Sequence, residues 1–257
     1  DYYTKNFQFT PIPLGKFIDP GKIISQKHER KNLVFINPSF AKGAGIVAQI
    51  AIILEKKRPD IQIEVVESRG NWPEVLQIVS KEFFKEERSE LNNVIVTPNT
   101  RDITTIYSRC RVLLGLSVWW ESGSRVLAEA MLNGIPSIVT NHGGSPEMVK
   151  DGGFVIDLPE SCYKSPYNNL PNLNKINEIV SIIENLYDDE MLYLHTVAKA
   201  LQVGVKNHAI NISTNKLETL VNGFIKDPSL KVNRDEMVMN RHKHKVDEEI
   251  SNYGKQT

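Results

Sequence analysis

From residue 32 onward, short apolar runs alternate with longer stretches whose apolar residues recur at helical spacing. Residues 33–36 (LVFI), 61–66 (IQIEVV), 93–97, 112–116, 136–140 and 153–156 read as six strands. Between them, residues 44–57, 72–85, 103–108 and 125–133 read as helices. Arg58-Pro59-Asp60 closes the first of these, Pro73 sits in the first turn of the second, and Gly134 closes the fourth. After the fifth strand, Gly143-Gly144 leads into a short helix with Pro146 at its start. Residues 174–186, 190–206 and 214–224 predict three C-terminal helices. Strands alternating with helices imply βαβ units and a parallel sheet. Strands that are nearly continuous apolar runs imply helices on both faces. The fold class is therefore α/β, a doubly wound Rossmann-like parallel sheet with C-terminal helices.

The flanks have a different texture. Residues 1–30 carry Pro11, Pro13 and Pro20 with little periodicity, and read as an interdomain linker or the end of a missing N-terminal domain. The α/β domain is expected over 31–225. Residues 226–257 mix both signs of charge with few apolar anchors and read as a polar tail. The chain starts without Met, which suggests a piece of something longer or a processed product.

Composition narrows the function. The 257 residues hold 31 Lys+Arg and 31 Asp+Glu, so the formal charge is zero and binding to nucleic acid through bulk positive charge is not expected. Cys110 and Cys162 are too few for a disulfide framework or a four-ligand zinc site, and Cys110 lies in apolar sequence as a core thiol would. The pair suggests a reducing compartment, and a cytoplasmic location is expected, with any peripheral attachment to the inner membrane surface left to the missing domain. No apolar run nears the ~20 residues of a membrane span. No G-x-x-x-x-G-K-[ST] is present, so a P-loop is excluded.

In open α/β sheets, ligands bind beyond the carboxyl ends of the strands. The loop after the first strand runs Asn37-Pro38-Ser39-Phe40-Ala41-Lys42-Gly43-Ala44-Gly45. It feeds a helix N-terminus, whose free amides suit an anion, and Lys42 adds a point charge suited to phosphate. A solvated lysine before a turn glycine fits the same residues. Gly43, Gly45 and Ala48 also spell G-x-G-x-x-A, with Glu64 and Glu67 about 20 residues on, as in an NAD(P)-binding fold. Against that rival, six residues separate Ile36 from Gly43, where a dinucleotide fingerprint follows its strand directly.

The loop after the fourth strand is more telling. Glu121 ends it, and Glu129 lies eight residues later on the next helix, about two turns away. Between them, Gly123 permits close backbone approach, and the amides of Ser124, Arg125 and Val126 open the helix. Two carboxylates flanking an anion cradle suit a sugar hydroxyl, a diphosphate and a ribose. The plainer alternative makes Glu121 a loop residue and Glu129 the partner of a nearby Arg. His142 invites a general-base reading, although a His beside glycines is more often a turn residue or a hydrogen-bond donor. Trp119-Trp120 fits either lining of the sugar site or, the stronger expectation, burial behind it.

The run from 121 to 147, ESGSRVLAEAMLNGIPSIVTNHGGSPE, resembles the donor-binding half of retaining glycosyltransferases of family 4, which have the GT-B fold of two Rossmann-like domains. Glu121, Glu129, Gly134, Pro136, Gly143, Gly144 and Glu147 match the family pattern. The resemblance implies transfer of a sugar from a nucleotide diphosphate sugar to a hydroxyl acceptor (glycan, lipid or protein) with retention. It implies catalytic roles for Lys42 and Glu121. Glu129 would hold the ribose, Lys42 and the amides of Ser124, Arg125 and Val126 the diphosphate, and Val96 and Pro98 would flank the base. Gly43, Gly123 and Gly144 would complete the donor site. No cofactor and no metal are implied. Two departures stand out. The family often carries an Arg shortly before the Lys, and Asn37-Pro38-Ser39-Phe40 offers none. Its acceptor-binding N-terminal domain would precede residue 1. A non-catalytic nucleotide-sugar-binding module remains the alternative.

Overall fold

The structure is a computed structural model and describes Thr4 and residues 10–226. Contacts divide the chain into two compact units, Lys16–Ile212 and the combination of Asp1–Gly15 with Ser213–Thr257. The polar tail expected at 226–257 lies, beyond Lys226, outside the described residues.

The larger unit holds six parallel strands: β1 (Asn32–Ile36), β2 (Ile63–Val66), β3 (Val94–Thr97), β4 (Cys110–Gly115), β5 (Ser137–Thr140) and β6 (Gly153–Ile156). Their order is β3-β2-β1-β4-β5-β6. That is the doubly wound order, and its direction reverses between β1 and β4. The helices between strands are α2 (Ala44–Lys57), α3 (Trp72–Phe84), α4 (Thr104–Arg109), α5 (Arg125–Leu132) and α6 (Ser145–Val149), with α1 (Pro20–Ile23) before β1. Helices α7 (Leu173–Asp188) and α8 (Glu190–Asn207) follow the sheet, and α9 (Ile210–Lys226) runs from this unit into the other.

Side-chain alternation explains the layers. Leu33 and Phe35 of β1 point into one core with Ile63, Val65, Val112 and Leu114, packed by α2, α3 and α7. Val34, Val66, Leu113 and Val139 point to the other face, packed by Leu127–Leu132 of α5 together with Ala200 and Val203 of α8. Period-two strands buried on both faces require this sandwich. Helix α2 is apolar all round because it is buried almost throughout, from Ala44 to Leu54. Among the described residues, no helix is long and apolar enough to cross a membrane.

Residues 16–30 pack onto this unit. Ile18 and Ile23 are buried in the second core, and Ile18 bridges to Ala209. Asn133, at the end of α5, accepts from the Ser25 amide at 2.9 Å and donates to the Ile23 carbonyl at 3.0 Å. Arg30 donates to the carbonyls of Asn133 and Gly134. Cys110 and Cys162 are buried free thiols, and burial pushes both thiols above their ordinary pKa.

Candidate functional site

The strand order places the loops after β1 and β4 side by side at the carboxyl ends of the sheet, where doubly wound folds bind ligands. They are tied together directly. The Ala41 carbonyl accepts from the Val118 amide at 3.1 Å, the Trp119 amide at 2.9 Å and the Ser117 hydroxyl at 3.2 Å. Gly43 has φ +89°, and a Cβ there would overlap the Leu116 carbonyl. A residue with a side chain would be strained and would push the two loops apart. The loop after β5 closes the third side. The Gly144 amide donates to the Glu121 carbonyl at 2.6 Å, and a Cβ on Gly143 would collide with the Glu121 backbone. The Gly-Gly turn thus seats Glu121.

These contacts bring Lys42 and Glu121 together. Their side chains form an ion pair, with Glu121 mostly buried and Lys42 about a third exposed. Among the described residues, each makes its side-chain hydrogen bond to the other alone. Beside them, α5 starts at Ser124 with no side-chain cap and no acid in its first turn. The amides of Ser124, Arg125 and Val126 therefore open toward the loops as orphan donors. Gly123 lies against an unforeseen neighbour: a Cβ added there would sit 3.2 Å from Cε and 3.4 Å from Nζ of Lys16.

Glu129 sits deeper. It is 6% exposed. Arg125 Nε donates to its Oε1 at 2.7 Å and the Tyr107 hydroxyl to its Oε2 at 2.8 Å. Burial, then the Glu129 charge and hydrogen bond, push the Tyr107 phenol well above its ordinary pKa, so it stays a donor. Arg125 runs along its own helix to Glu129 as an i,i+4 partner. Sequence pattern did not single out Tyr107, which falls within an apolar helical stretch, or Lys16, which falls within the aperiodic N-terminal segment.

Val96 and Pro98 are not drawn into this cluster. They lie on and just after β3, an edge strand two places from β1, about 10 Å away at ordinary strand spacing. Val96 and Pro98 are both exposed.

The Trp pair departs from expectation. Trp119 and Trp120 are 52% and 46% exposed rather than buried. The Ala41 carbonyl pins the backbone amides of Val118 and Trp119 and the Ser117 hydroxyl, and the chain turns outward after it. Trp119 meets Tyr167 edge-on at 5.9 Å, and Trp120 meets His142 edge-on at 5.0 Å. His142 also stacks on Tyr163 at 4.0 Å. Burial lowers the His142 pKa, so the ring is neutral at pH 7 and serves in an aromatic wall beside Glu121.

The dinucleotide reading loses its ribose carboxylate. Glu64 is buried, with Arg109 donating to it at 3.0 and 2.5 Å, Thr97 at 2.9 Å and Asn32 at 3.2 Å. Burial would raise this carboxyl, but the hydrogen bonds from Arg109, Thr97 and Asn32 and the Arg109 charge hold it below the ordinary value. Glu67 accepts from the Trp72 amide at 3.2 Å and so helps start α3. Among the described residues, no three His, Cys, Asp or Glu side chains cluster as a metal site would need.

Comparison with known proteins follows the same residues. The family model "Glycosyl transferases group 1" matches residues 24–161. Spore coat protein SA of Bacillus subtilis (strain 168) is 28% identical over 134 residues, covering 50% of this chain and 36% of that protein. A glycosyltransferase from Rickettsia africae ESF-5 superposes with a TM-score of 0.65 at 14% identity, covering 88% of this chain and 61% of the other. Anabaena Alr3699/HepE, crystallised with UDP and glucose, superposes with a TM-score of 0.55 at 22% identity, covering 74% and 48%. At these identities the structural likeness is one of fold. The chain spans between about a third and three fifths of the length of these relatives.

Proposed function

The chain belongs to the glycosyl transferases group 1 family, and on that footing we propose that its crevice binds a nucleotide diphosphate sugar and serves the transfer of that sugar to a hydroxyl acceptor. The observation that carries the reading is the Lys42–Glu121 ion pair beside the uncapped start of α5. Donor binding exchanges one partner for another. The Lys42 ammonium moves from Glu121 to the diphosphate, and the freed Glu121 carboxylate accepts hydroxyls of the sugar. The amides of Ser124, Arg125 and Val126 donate to the same diphosphate.

In the reaction, the bond from the anomeric carbon to the diphosphate oxygen breaks and a bond to the acceptor oxygen forms. The acceptor proton leaves with the departing nucleoside diphosphate or passes to solvent. Lys42 and the α5 amides stabilise the negative charge growing on the leaving group, the demanding part of the step. We infer retention from the resemblance of residues 121–147 to the retaining enzymes of glycosyltransferase family 4. No metal or cofactor is needed for this scheme. Glu129 holds the ribose hydroxyls through the acceptor sites that Arg125 and Tyr107 leave open, since a carboxylate offers about four. Val96 and Pro98 flank the base. Trp120 and His142 wall the sugar, as aromatic faces suit its C–H bonds. The acceptor is held by a further domain of the same protein facing this crevice. Binding of UDP and glucose by Alr3699/HepE makes UDP a donor nucleotide to test early.

Calorimetric titration with UDP, GDP, UDP-glucose, GDP-mannose and NAD tests the reading. A nucleoside diphosphate and its sugar should bind and NAD should not; heat with NAD alone would overturn it. Retention is tested by the anomeric configuration of the product, read by NMR on the full-length protein.

A further inference from the structure

We propose that Trp119 and Tyr167 form a saccharide platform at the mouth of this crevice, so that the hydroxyl acceptor is a sugar residue of a glycan. This assignment rests on the donor site described above and names the acceptor class of that same site. It adds no chemical step: a sugar hydroxyl supplies the acceptor oxygen of the transfer already described.

Trp119 is more than half exposed, although its neighbour Val118 is buried. The Ala41 carbonyl accepts from both amides, at 3.1 Å from Val118 and 2.9 Å from Trp119, so the exposed ring leaves a fixed backbone. Tyr167 braces that ring edge-on, with centroids 5.9 Å apart and planes at 73°. Tyr167 is half-buried and packs on the first core. Its φ is +66°, in the left-handed region that a bulky residue rarely adopts. The Tyr167 amide closes a turn on the Lys164 carbonyl at 2.8 Å. Further on, the Gln49 side chain donates to the Pro171 carbonyl at 3.2 Å, and Leu170 packs against Gly45. The loop that carries the brace is thus anchored on α2. A residue held in a sparsely populated conformation to support an exposed ring points to a presented surface rather than a lapse in packing.

The place and the chemistry of the surface indicate its ligand. Trp119 lies two residues before Glu121, and Ala41, which pins it, lies one residue before Lys42. The platform therefore belongs to the two loops that carry the Lys42–Glu121 pair. Trp119 turns to Tyr167 while Trp120 turns to His142, so consecutive tryptophans serve the acceptor sugar and the donor sugar in turn. An aromatic face is negative and attracts the C–H bonds of a pyranose, and the indole adds an N–H donor at its rim. Residues 159–171 (PESCYKSPYNNLP) hold one base and one acid, and the two pair, with Lys164 Nζ 3.5 Å from Glu160. No net charge remains in that loop to draw an anionic lipid surface. Its other polar side chains are the hydroxyls of serine and tyrosine and the amides of Asn168 and Asn169, neutral groups that match sugar hydroxyls.

The test titrates the native chain, Trp119→Ala, Trp119→Tyr and Tyr167→Asn with maltotriose, cellotriose, mannotriose and chitotriose. Saturation-transfer NMR and indole fluorescence read the binding, and each chain is titrated separately with UDP and GDP. The native chain should bind at least one trisaccharide. Trp119→Ala should lose about tenfold in that affinity, and Trp119→Tyr should keep most of it. Tyr167→Asn removes the brace but tolerates a positive φ, and should lose less than Trp119→Ala. Nucleoside diphosphate affinity should be unchanged in all three variants. In the full-length protein, Trp119→Ala should raise the KM for the acceptor and leave that for the donor alone. Binding of no trisaccharide, or equal binding by the native chain and Trp119→Ala, would overturn the platform and leave the donor site standing. An equal loss for trisaccharide and diphosphate would show a structural role and also overturn it. So would Trp119-dependent binding to vesicles of phosphatidylcholine and phosphatidylglycerol without saccharide binding, which would assign the rings to a membrane. Saccharide binding by a native chain that binds neither diphosphate would overturn the donor site and, with it, the acceptor role.

Discussion

Two kinds of helix start meet in this molecule. Helices α3, α7 and α8 begin with Asn71, Asn172 and Asp189, whose side chains accept from the amides of Glu74, Lys175 and Leu192 at 2.9–3.1 Å. Helix α4 has Ile103 at its cap position and no side-chain cap, although Asp102 just before it accepts from the Thr104 amide at 3.0 Å. Helices α2, α5 and α6, which follow β1, β4 and β5, begin at Gly43, Ser124 and Gly144 with no side-chain cap. The first group starts where only stability is at stake. In the second group, α2 and α5 begin at the strand reversal, and α6 begins one strand further on, after β5. A capped start has spent orphan donors. Of the uncapped starts, α2 and α6 have the Ala44 and Gly144 amides bonded to the Ser39 and Glu121 carbonyls, whereas among the described residues no backbone partner takes the amides of Ser124, Arg125 and Val126 in α5. The contrast extends to ion pairs. Glu64 is enclosed by Arg109, Thr97 and Asn32, while Glu121 has Lys42 alone among the described residues. A charge enclosed by several donors sits within the sheet, and a charge with a single partner among the described residues stands at its mouth.

The contrast can be broken at several points. Lys42→Ala should lower turnover or donor affinity by about 10²-fold, as removal of one oxyanion-type donor does, while the melting temperature stays nearly constant. A calorimetric titration and a thermal melt of the same variant read both. Ser124→Asp installs the cap that α5 lacks. It should add about 0.5–1 kcal/mol of stability and weaken nucleoside diphosphate binding by about tenfold, because a carboxylate then occupies the anion's place. A rise in stability without a loss of binding would mean that the α5 amides do not serve the ligand. Asp189→Ala should do the reverse. It should cost about 1 kcal/mol in chemical denaturation and leave diphosphate affinity unchanged.

The smallest effect at working pH belongs to Glu64. Its folded pKa is depressed, so its contribution is fully present above the unfolded value of about 4.3. It is lost only as pH falls through the lower folded value. Stability should therefore hold between pH 7 and 5 and decline below pH 4. Glu64→Gln, lower in stability at pH 7, should show a shallower decline. Parallel acid limbs in urea titrations would contradict the assignment.

Much of this was readable from residue spacing. Apolar runs and helical periodicity located every strand and helix of the sheet to within a few residues, with 44–57 and 153–156 matching the observed bounds. The reason is local: a strand buried on both faces and a helix buried on one leave distinct periods in the chain. Lys42 and Glu121 stood out from their loop positions, although they are 79 residues apart. Other features left no local mark. The outward turn of Trp119 and Trp120 depends on the Ala41 carbonyl, and the approach of Lys16 to Gly123 depends on the buried Ile18 anchor. Nothing near residue 16 signals it, because the chain there has no periodicity to read.

By itself, the sequence determined the alternation of elements, the doubly wound class and the loops that had to bear the chemistry, because all of these follow from local pattern and from where a parallel sheet opens. Only the tertiary structure decided which charges are enclosed by several donors and which meet one partner among the described residues. Glu64 and Glu121 look alike along the chain. They differ because three donors from other elements close around one, while the meeting of two strand ends leaves the other with a single lysine among the described residues.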